Sequence, residues 1–279
     1  RKVLFFFFLM MNIKEIKEFL ETNATEEVLS ELAKDKRAGV QKLLASYAKA
    51  QADLAHELER FDKMLTEEKT FWQAGMQYIA GCDEAGRGPL AGPLVVAAVI
   101  LPEEVFISGL NDSKQVTAKK RESLYTEIMD KALGITVNIV SPATIDKLNI
   151  YEATKEAMVR CLTGFKLEPE VALIDAMPIQ IPFVHCKSII HGDAKSASIA
   201  AASIIAKVTR DRIMVELDKQ FPVYGFAGHK GYGSEKHMEA IAEHGASIWH
   251  RRSYEPIKSI NLKTPLGEAE HTDSFKVLK

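Results

Sequence analysis

Pro93-Leu94-Val95-Val96-Ala97-Ala98-Val99-Ile100 offers no polar side chain to water on either side of the chain. A β-branched run of this length after a Gly-Pro pair reads as a strand, and a strand apolar at successive positions must be covered on both faces. Tyr78-Ile79-Ala80-Gly81-Cys82 predicts a second strand just before it, and further strands are predicted over 135–140, 171–174 and 184–189. Helical spacing fits 118–132, 151–162, 196–220 and 234–244. Strands first, then strands alternating with helices, predict an α/β or α+β domain.

Ahead of these strands, residues 13–70 read as helix throughout. Val40, Leu43, Leu44, Tyr47, Leu54, Leu58, Phe61, Met64 and Leu65 recur at three-, four- and seven-residue steps, which predicts one apolar stripe. Asn23-Ala24-Thr25-Glu26 resembles a capping box. Such a segment packs on the main domain or serves as a handle for substrate or a partner. The run Val3 to Met11 is too short to span a bilayer, and Lys14, Glu15, Lys17 and Glu18 follow without a signal-cleavage site. It reads as an N-terminal extension of a cytoplasmic protein. Cys82, Cys161 and Cys186 are scattered, which fits buried thiols better than a disulfide framework or a zinc cage. Past Ile260 the apolar periodicity ends, so 261–279 is expected to be a mobile tail. The expected division is therefore 1–70, 71–260 and 261–279.

A formal net charge of −2 gives no global sign of a nucleic-acid partner, so such a role has to rest on a local patch. The chemistry lies in three constellations. In Asp83-Glu84-Ala85-Gly86-Arg87-Gly88-Pro89, adjacent strand residues point to opposite faces, so both carboxylates serve one site only if the strand ends there. Gly86 and Gly88 are read as that ending. A dinucleotide-binding turn is disfavoured, because Pro89 interrupts the glycines and a strand follows where that motif needs a helix. Asp175 closes the apolar run Val171-Ala172-Leu173-Ile174, and a turn or a metal ligand both suit it. Asp193, in His191-Gly192-Asp193-Ala194-Lys195-Ser196, is either a helix N-cap or a third ligand. Taken jointly, four carboxylates at element ends point to hard-cation chemistry, in which magnesium is shared with substrate phosphate. Two such ions about 4 Å apart can activate a water and stabilise a leaving oxygen.

The motifs, in order, resemble the bacterial ribonuclease HII family, the second type of ribonuclease H. Asp83-Glu84-Ala85-Gly86-Arg87-Gly88 with Leu90-Ala91-Gly92-Pro93 is similar to its signature. Asn111-Asp112-Ser113-Lys114, Leu173-Ile174-Asp175-Ala176 and Gly192-Asp193 follow in the family's order. So do Ser203 to Asp211, His229-Lys230-Gly231-Tyr232-Gly233, His244-Gly245 and His250-Arg251 with Ser253. The resemblance spans roughly Gln77 to Ile257. Tyr254, where phenylalanine is frequent, and Gly228, where a larger residue is common, depart from the pattern.

The resemblance implies a ribonuclease H-like mixed sheet flanked by helices, with the N-terminal helices as an appendage. It implies Asp83, Glu84, Asp175 and Asp193 as catalytic residues and ligands of Mg2+ or Mn2+. Gly86, Arg87 and Gly88 would line the ribose, where backbone groups meet the 2′-hydroxyl. Tyr232 would lie against the sugar of the next nucleotide. Asp112, Ser113 and Lys114 would contact phosphate, assisted by Lys207 and Arg210, for which surface positions on a long helix are the plainer alternative. The implied reaction cuts the RNA strand of RNA–DNA hybrids, and single ribonucleotides in duplex DNA, on the 5′ side by two-metal catalysis. It leaves 3′-hydroxyl and 5′-phosphate ends, removing misincorporated ribonucleotides and RNA primers. A monomer with no membrane partner is expected. The rivals are a related nuclease with another substrate, a non-catalytic hybrid-binding module and a nicotinamide dehydrogenase.

Overall fold

The computed structural model describes residues 2–259 and 273–279. The chain forms two compact units, Arg1–Arg60 and Phe61–Lys279. In chain order the helices of the N-terminal region are α1 (Lys2–Met10), α2 (Ile13–Asn23), α3 (Glu26–Leu32), α4 (Ala38–Met64) and α5 (Thr66–Gln73). The remainder alternates as β1 (Ile79–Ala85), β2 (Leu94–Ile100), α6 (Ala118–Lys131), β3 (Gly134–Val140), α7 (Pro142–Leu148) and α8 (Ile150–Thr163). It continues with β4 (Val171–Asp175), β5 (His185–Ile189), α9 (Ala197–Gln220), α10 (Phe226–His229), α11 (Glu235–His244) and β6 (Ser274–Val277).

The first unit has its own small core of Phe8, Ile16, Leu20, Val28, Leu32 and Val40. Its capping differs from expectation. The reciprocal box is Asn12 with Glu15 at the start of α2, whereas Thr25 alone caps α3 through the Val28 N–H. The apolar stripe is also discontinuous. Val40 is buried at one end, and Phe61, Met64 and Leu65 are buried at the other, but Leu54 and Leu58 between them are each 45% exposed. Phe61, Met64, Leu65 and Trp72 join the core of the second unit.

The second unit is built on a six-stranded mixed sheet in the order β5-β4-β1-β2-β3-β6. β1 is antiparallel to β2 and parallel to β4. All seven residues of β2 are buried, as its composition requires. Val95, Ala97 and Val99 pack on one face with Ile199, Ala202 and Ile205 of α9. Leu94, Val96, Ala98 and Ile100 pack on the other with Ala157, Met158 and Cys161 of α8. Each buried valine, leucine or isoleucine here contributes about 1.5–3 kcal/mol, and a carboxylate at Val96 would be buried without a partner. A Cβ on Gly81 would sit 2.1 Å from the Ser198 carbonyl carbon, so only glycine lets α9 approach β1 this closely.

The expected tail over 261–279 gives way at its end. Ser274–Val277 pairs antiparallel with β3 and covers that sheet edge, a pairing that a four-residue alternation around Phe275 and Val277 does not announce. The rest of that expectation, 261–272, lies outside the described residues. Among the described residues, no helix is long and apolar enough to cross a membrane.

Candidate active site

β1 and β4 run parallel from Ile79↔Val171 to Cys82↔Ile174, and the ladder stops there. The next residues on the two strands, Asp83 and Asp175, therefore stand side by side where β1 and β4 part, each still paired with its other neighbour, β2 or β5. Asp193 comes to them on the short 3-10 turn Gly192–Ala194, which Asp175 holds by accepting the Gly192 N–H at 2.7 Å. One carboxylate oxygen from each of Asp83, Asp175 and Asp193 lies within 4.8 Å of the others. Asp193 is not the helix cap. Ser196 caps α9 by accepting the Ile199 N–H, and buried Glu68 of α5 in turn accepts from the Ser196 hydroxyl at 2.6 Å.

Glu84 stands beside this trio rather than in it. β1 runs to Ala85 against β2 and stops where Gly86 begins the turn, and the Glu84 carboxylate pairs with Arg87 at 3.6 Å. Burial pushes the Glu84 carboxyl up, with Arg87 opposing and Asp175 adding to the rise. Burial also raises Asp83 well above the usual range, helped by the charges of Glu84 and Asp175. Asp193 is raised by burial, then by Asp112 and Asp175, while Lys114 at 3.8 Å acts against the rise. Clustered carboxylates that resist ionisation are what a hard cation relieves. The donor set is all oxygen, so a divalent ion fits these residues.

The loop at 112–114 divides its labour differently from expectation. Asp112 accepts the Lys114 N–H and lies within hydrogen-bonding reach of Asp193, so its carboxylate is a further acidic group beside the cluster. Ser113 is buried against Ser203 at 3.0 Å, and Ser203 also reaches Asp83. Lys114, with its side chain 80% exposed, is the one of the three free to meet an anion. Lys207 is half-buried and paired with Asp211 at 2.8 Å.

The glycine-rich turn is held from inside. Gly86 has φ +96°, and a Cβ there would meet Arg210 Nε at 2.1 Å. Arg210 is 1% exposed and donates to the carbonyls of Pro93 and Ala91, so it is neither a surface residue nor a substrate contact. Arg251, wholly buried, donates to the carbonyls of Gly86, Arg87 and Gly92. The Tyr254 hydroxyl donates to the Arg87 carbonyl at 2.7 Å. Among the described residues, the main-chain N–H groups of Arg87 and Gly88 have no acceptor within the chain. Tyr232 is 51% exposed, and a Cβ on Gly88 would lie 3.8 Å from its ring. Sequence reading missed Arg251 and Tyr254 as parts of this turn. Their only signal was membership of the matching motif, because a buried arginine that serves main-chain carbonyls has no carboxylate partner to betray it.

The ribonuclease HII family profile matches residues 80–256, and that of the ribonuclease HII N-terminal domain matches 12–72. A ribonuclease HII of Desulfitobacterium hafniense is 50% identical over 248 residues, covering 89% of this chain and 95% of the relative. One of Bacillus anthracis is 50% identical over 255 residues, covering 91% and 99%. Among solved structures, ribonuclease H2 of Pyrococcus horikoshii aligns with TM-score 0.58 at 29% identity, covering 65% of this chain and 96% of that one. The ribonuclease HII of Archaeoglobus fulgidus, solved in complex with PCNA, aligns with TM-score 0.54 at 31% identity, covering 67% and 98%. The mixed sheet with its acidic edge is thus that of a ribonuclease H-like nuclease. The chain belongs to the ribonuclease HII family and is a ribonuclease H, an enzyme that acts on RNA–DNA substrates with divalent metal.

Proposed function

We propose that this enzyme hydrolyses the phosphodiester on the 5′ side of a ribonucleotide, in RNA–DNA hybrids and at single ribonucleotides within duplex DNA. The products would carry 3′-hydroxyl and 5′-phosphate ends. The observation behind this reading is the adjacency of the Asp83–Asp175–Asp193 cluster to a turn whose Gly86 and Arg87 carbonyls are taken and whose Arg87 and Gly88 N–H groups have no acceptor among the described residues. A 2′-hydroxyl can accept from such a turn, and a deoxyribose cannot.

In this reading Asp83, Glu84, Asp175 and Asp193 are the catalytic residues, and they would hold Mg2+ or Mn2+. Bound divalent ions supply the positive charge that lowers the pKa of water and stabilises the departing oxygen. Asp112 adds negative charge beside Asp193, and Lys114 meets the approaching phosphate. Gly86, Arg87 and Gly88 take the ribose, and Tyr232 packs on the neighbouring sugar. Lys207 supports the phosphate backbone when Asp211 yields its ion pair. The cellular role that follows is removal of misincorporated ribonucleotides and RNA primers, by a monomer in the cytoplasm. The test is the cleavage position and end chemistry on a duplex bearing one ribonucleotide, with Mg2+ or Mn2+ alone. Cleavage 3′ of the ribonucleotide, or 5′-hydroxyl ends, would overturn it.

A further inference from the structure

Tyr232 hangs on a chain of buried histidines whose proton positions follow from parity. The Tyr232 carbonyl can only accept, so His237 Nδ1, 2.8 Å away, carries a hydrogen. In a neutral ring His237 Nε2 is then a lone pair, and His250 Nε2 at 3.0 Å must be the donor. That leaves His250 Nδ1 as an acceptor, and it faces the Ser247 N–H at 2.8 Å and the Ser247 hydroxyl at 2.9 Å. One pair of neutral tautomers satisfies every contact, and a second proton on either ring would set two donors against each other. Burial agrees with this, since it lowers His237 to about 4 and His250 to about 3. His229 lies flat on His237, ring centroids 4.3 Å apart, and fixes the same loop by accepting the Gly231 N–H.

The residue after His250 serves the other half of the site. Arg251 places its planar fork on Gly86, Arg87 and Gly92 carbonyls, while its own N–H donates to Leu90. Between the two halves, the Gly231 carbonyl accepts the Leu90 N–H at 2.8 Å. Neither His250 nor Arg251 is more than 2% exposed, so neither can touch substrate.

We propose that the segment Ser247–Arg251 is the positioning element of ribose recognition, its histidine orienting Tyr232 through His237 and its arginine shaping the Gly86-Arg87-Gly88 turn. Two adjacent residues thereby set the distance between the parts that grip one ribose and its neighbour. This rests on the assignment of that turn and Tyr232 to sugar recognition.

The test compares His237→Asn, His237→Leu, Arg251→Lys and Tyr232→Ala in the full chain. Asn keeps a donor where Nδ1 stood, whereas Leu keeps the volume without the donor. Readouts are KM and kcat on a duplex with one ribonucleotide, inhibition by the same duplex in all-DNA form, and the magnesium-induced rise in Tm. His237→Leu and Arg251→Lys should raise KM about tenfold, the effect of one lost buried hydrogen bond on orientation. All-DNA inhibition and the magnesium-induced rise should stay as in wild type, and His237→Asn should restore most of the loss. Equal impairment of Asn and Leu, or KM and all-DNA inhibition weakening together, would mean packing alone and overturn the proposal. If His237→Leu does not fold, His250→Leu against His250→Gln makes the same comparison, because Gln keeps the donor aimed at His237. A large Tyr232→Ala effect beside silent Arg251→Lys and His237→Leu refutes the positioning role only. A silent Tyr232→Ala refutes the sugar-recognition reading, and the proposal with it.

Discussion

The end of β1 carries two neighbouring devices built in opposite ways. In the acidic cluster, negative side chains converge on a scaffold of main-chain groups, with the Gly192 and Glu84 N–H donating to Asp175 and Asp83. In the ribose-facing turn, main-chain groups converge on buried positive side chains, Arg210 and Arg251. The first is strained by its own charge until a cation arrives, so its stability comes from a ligand. The second is satisfied within the protein, so its shape exists before substrate binds. A site that must discriminate a hydroxyl gains from such preorganisation, and a site that must take up a metal does not need it.

The difference is sharpest for Asp83→Asn. Removing outer partners of metal ligands costs about 10–100-fold in activity, and losing a ligand should exceed that. Turnover should fall by more than about a hundredfold while affinity for hybrid stays near wild type, measured by cleavage and by binding in calcium-free buffer. Wild-type turnover at saturating magnesium would remove Asp83 from the site. The same variant should be no less stable without metal. Carboxylates within 4.8 Å repel by roughly 3 kcal/mol per pair at an effective dielectric of about 20, before screening and protonation. A net gain of about 1 kcal/mol corresponds to roughly 2–4 °C in Tm for a domain of this size. Magnesium should raise the Tm of wild type more than that of Asp83→Asn or Asp193→Asn. Identical rises would show that the two aspartates bind nothing.

The same contrast explains what the sequence discloses. The strands and helices around the sheet are legible because β2 has no polar position and α9 opens on buried alanines. The aspartates are legible because a charge at the end of an apolar run needs a reason. Glu84 is legible only as the neighbour of Asp83: it pairs with Arg87 and shares the field of Asp83 and Asp175, which the order of residues alone does not disclose. Arg210 was misread as a surface or substrate residue, because a cation satisfied by carbonyls looks in sequence like any helix arginine. β6 was invisible because it pairs with a strand more than a hundred residues away, and the histidine chain because its central link joins His237 to His250 across thirteen residues with no local pattern.

Acid should weaken the turn side and relieve the acidic side. His237 and His250 are held neutral in the fold at about 4 and about 3. Between those values and about 6.5, where an unfolded histidine titrates, the unfolded chain binds more protons, so stability falls as pH falls. Asp83, Glu84 and Asp193 are raised, so their contribution is lost as pH rises above the ordinary carboxylate range. The two effects are separated by the Tm difference between wild type and His237→Asn/His250→Gln, followed from pH 7 to pH 5. Wild type should lose ground steadily toward pH 5. A flat difference would mean that the histidines are not neutral in the fold.

The smallest effect is expected from Tyr254→Phe. The Tyr254 hydroxyl donates to the Arg87 carbonyl at 2.7 Å and accepts from Arg251 Nη1 at 3.2 Å. Phenylalanine removes that donor, yet Arg251 still holds the Arg87 carbonyl at 2.8 Å and keeps its bonds to Gly86 and Gly92. No buried group is thereby orphaned, so the loss should be one ordinary hydrogen bond, about 0.5–1.5 kcal/mol, and toward the low end because the bond is near the surface. A Tm drop of about 1–3 °C and a change in KM of about threefold or less would fit, with all-DNA inhibition unchanged. A redundant donor of this kind can be lost without releasing the turn. A tenfold rise in KM would instead make Tyr254 an equal partner of Arg251, and the turn would then depend on a contact from outside the buried brace.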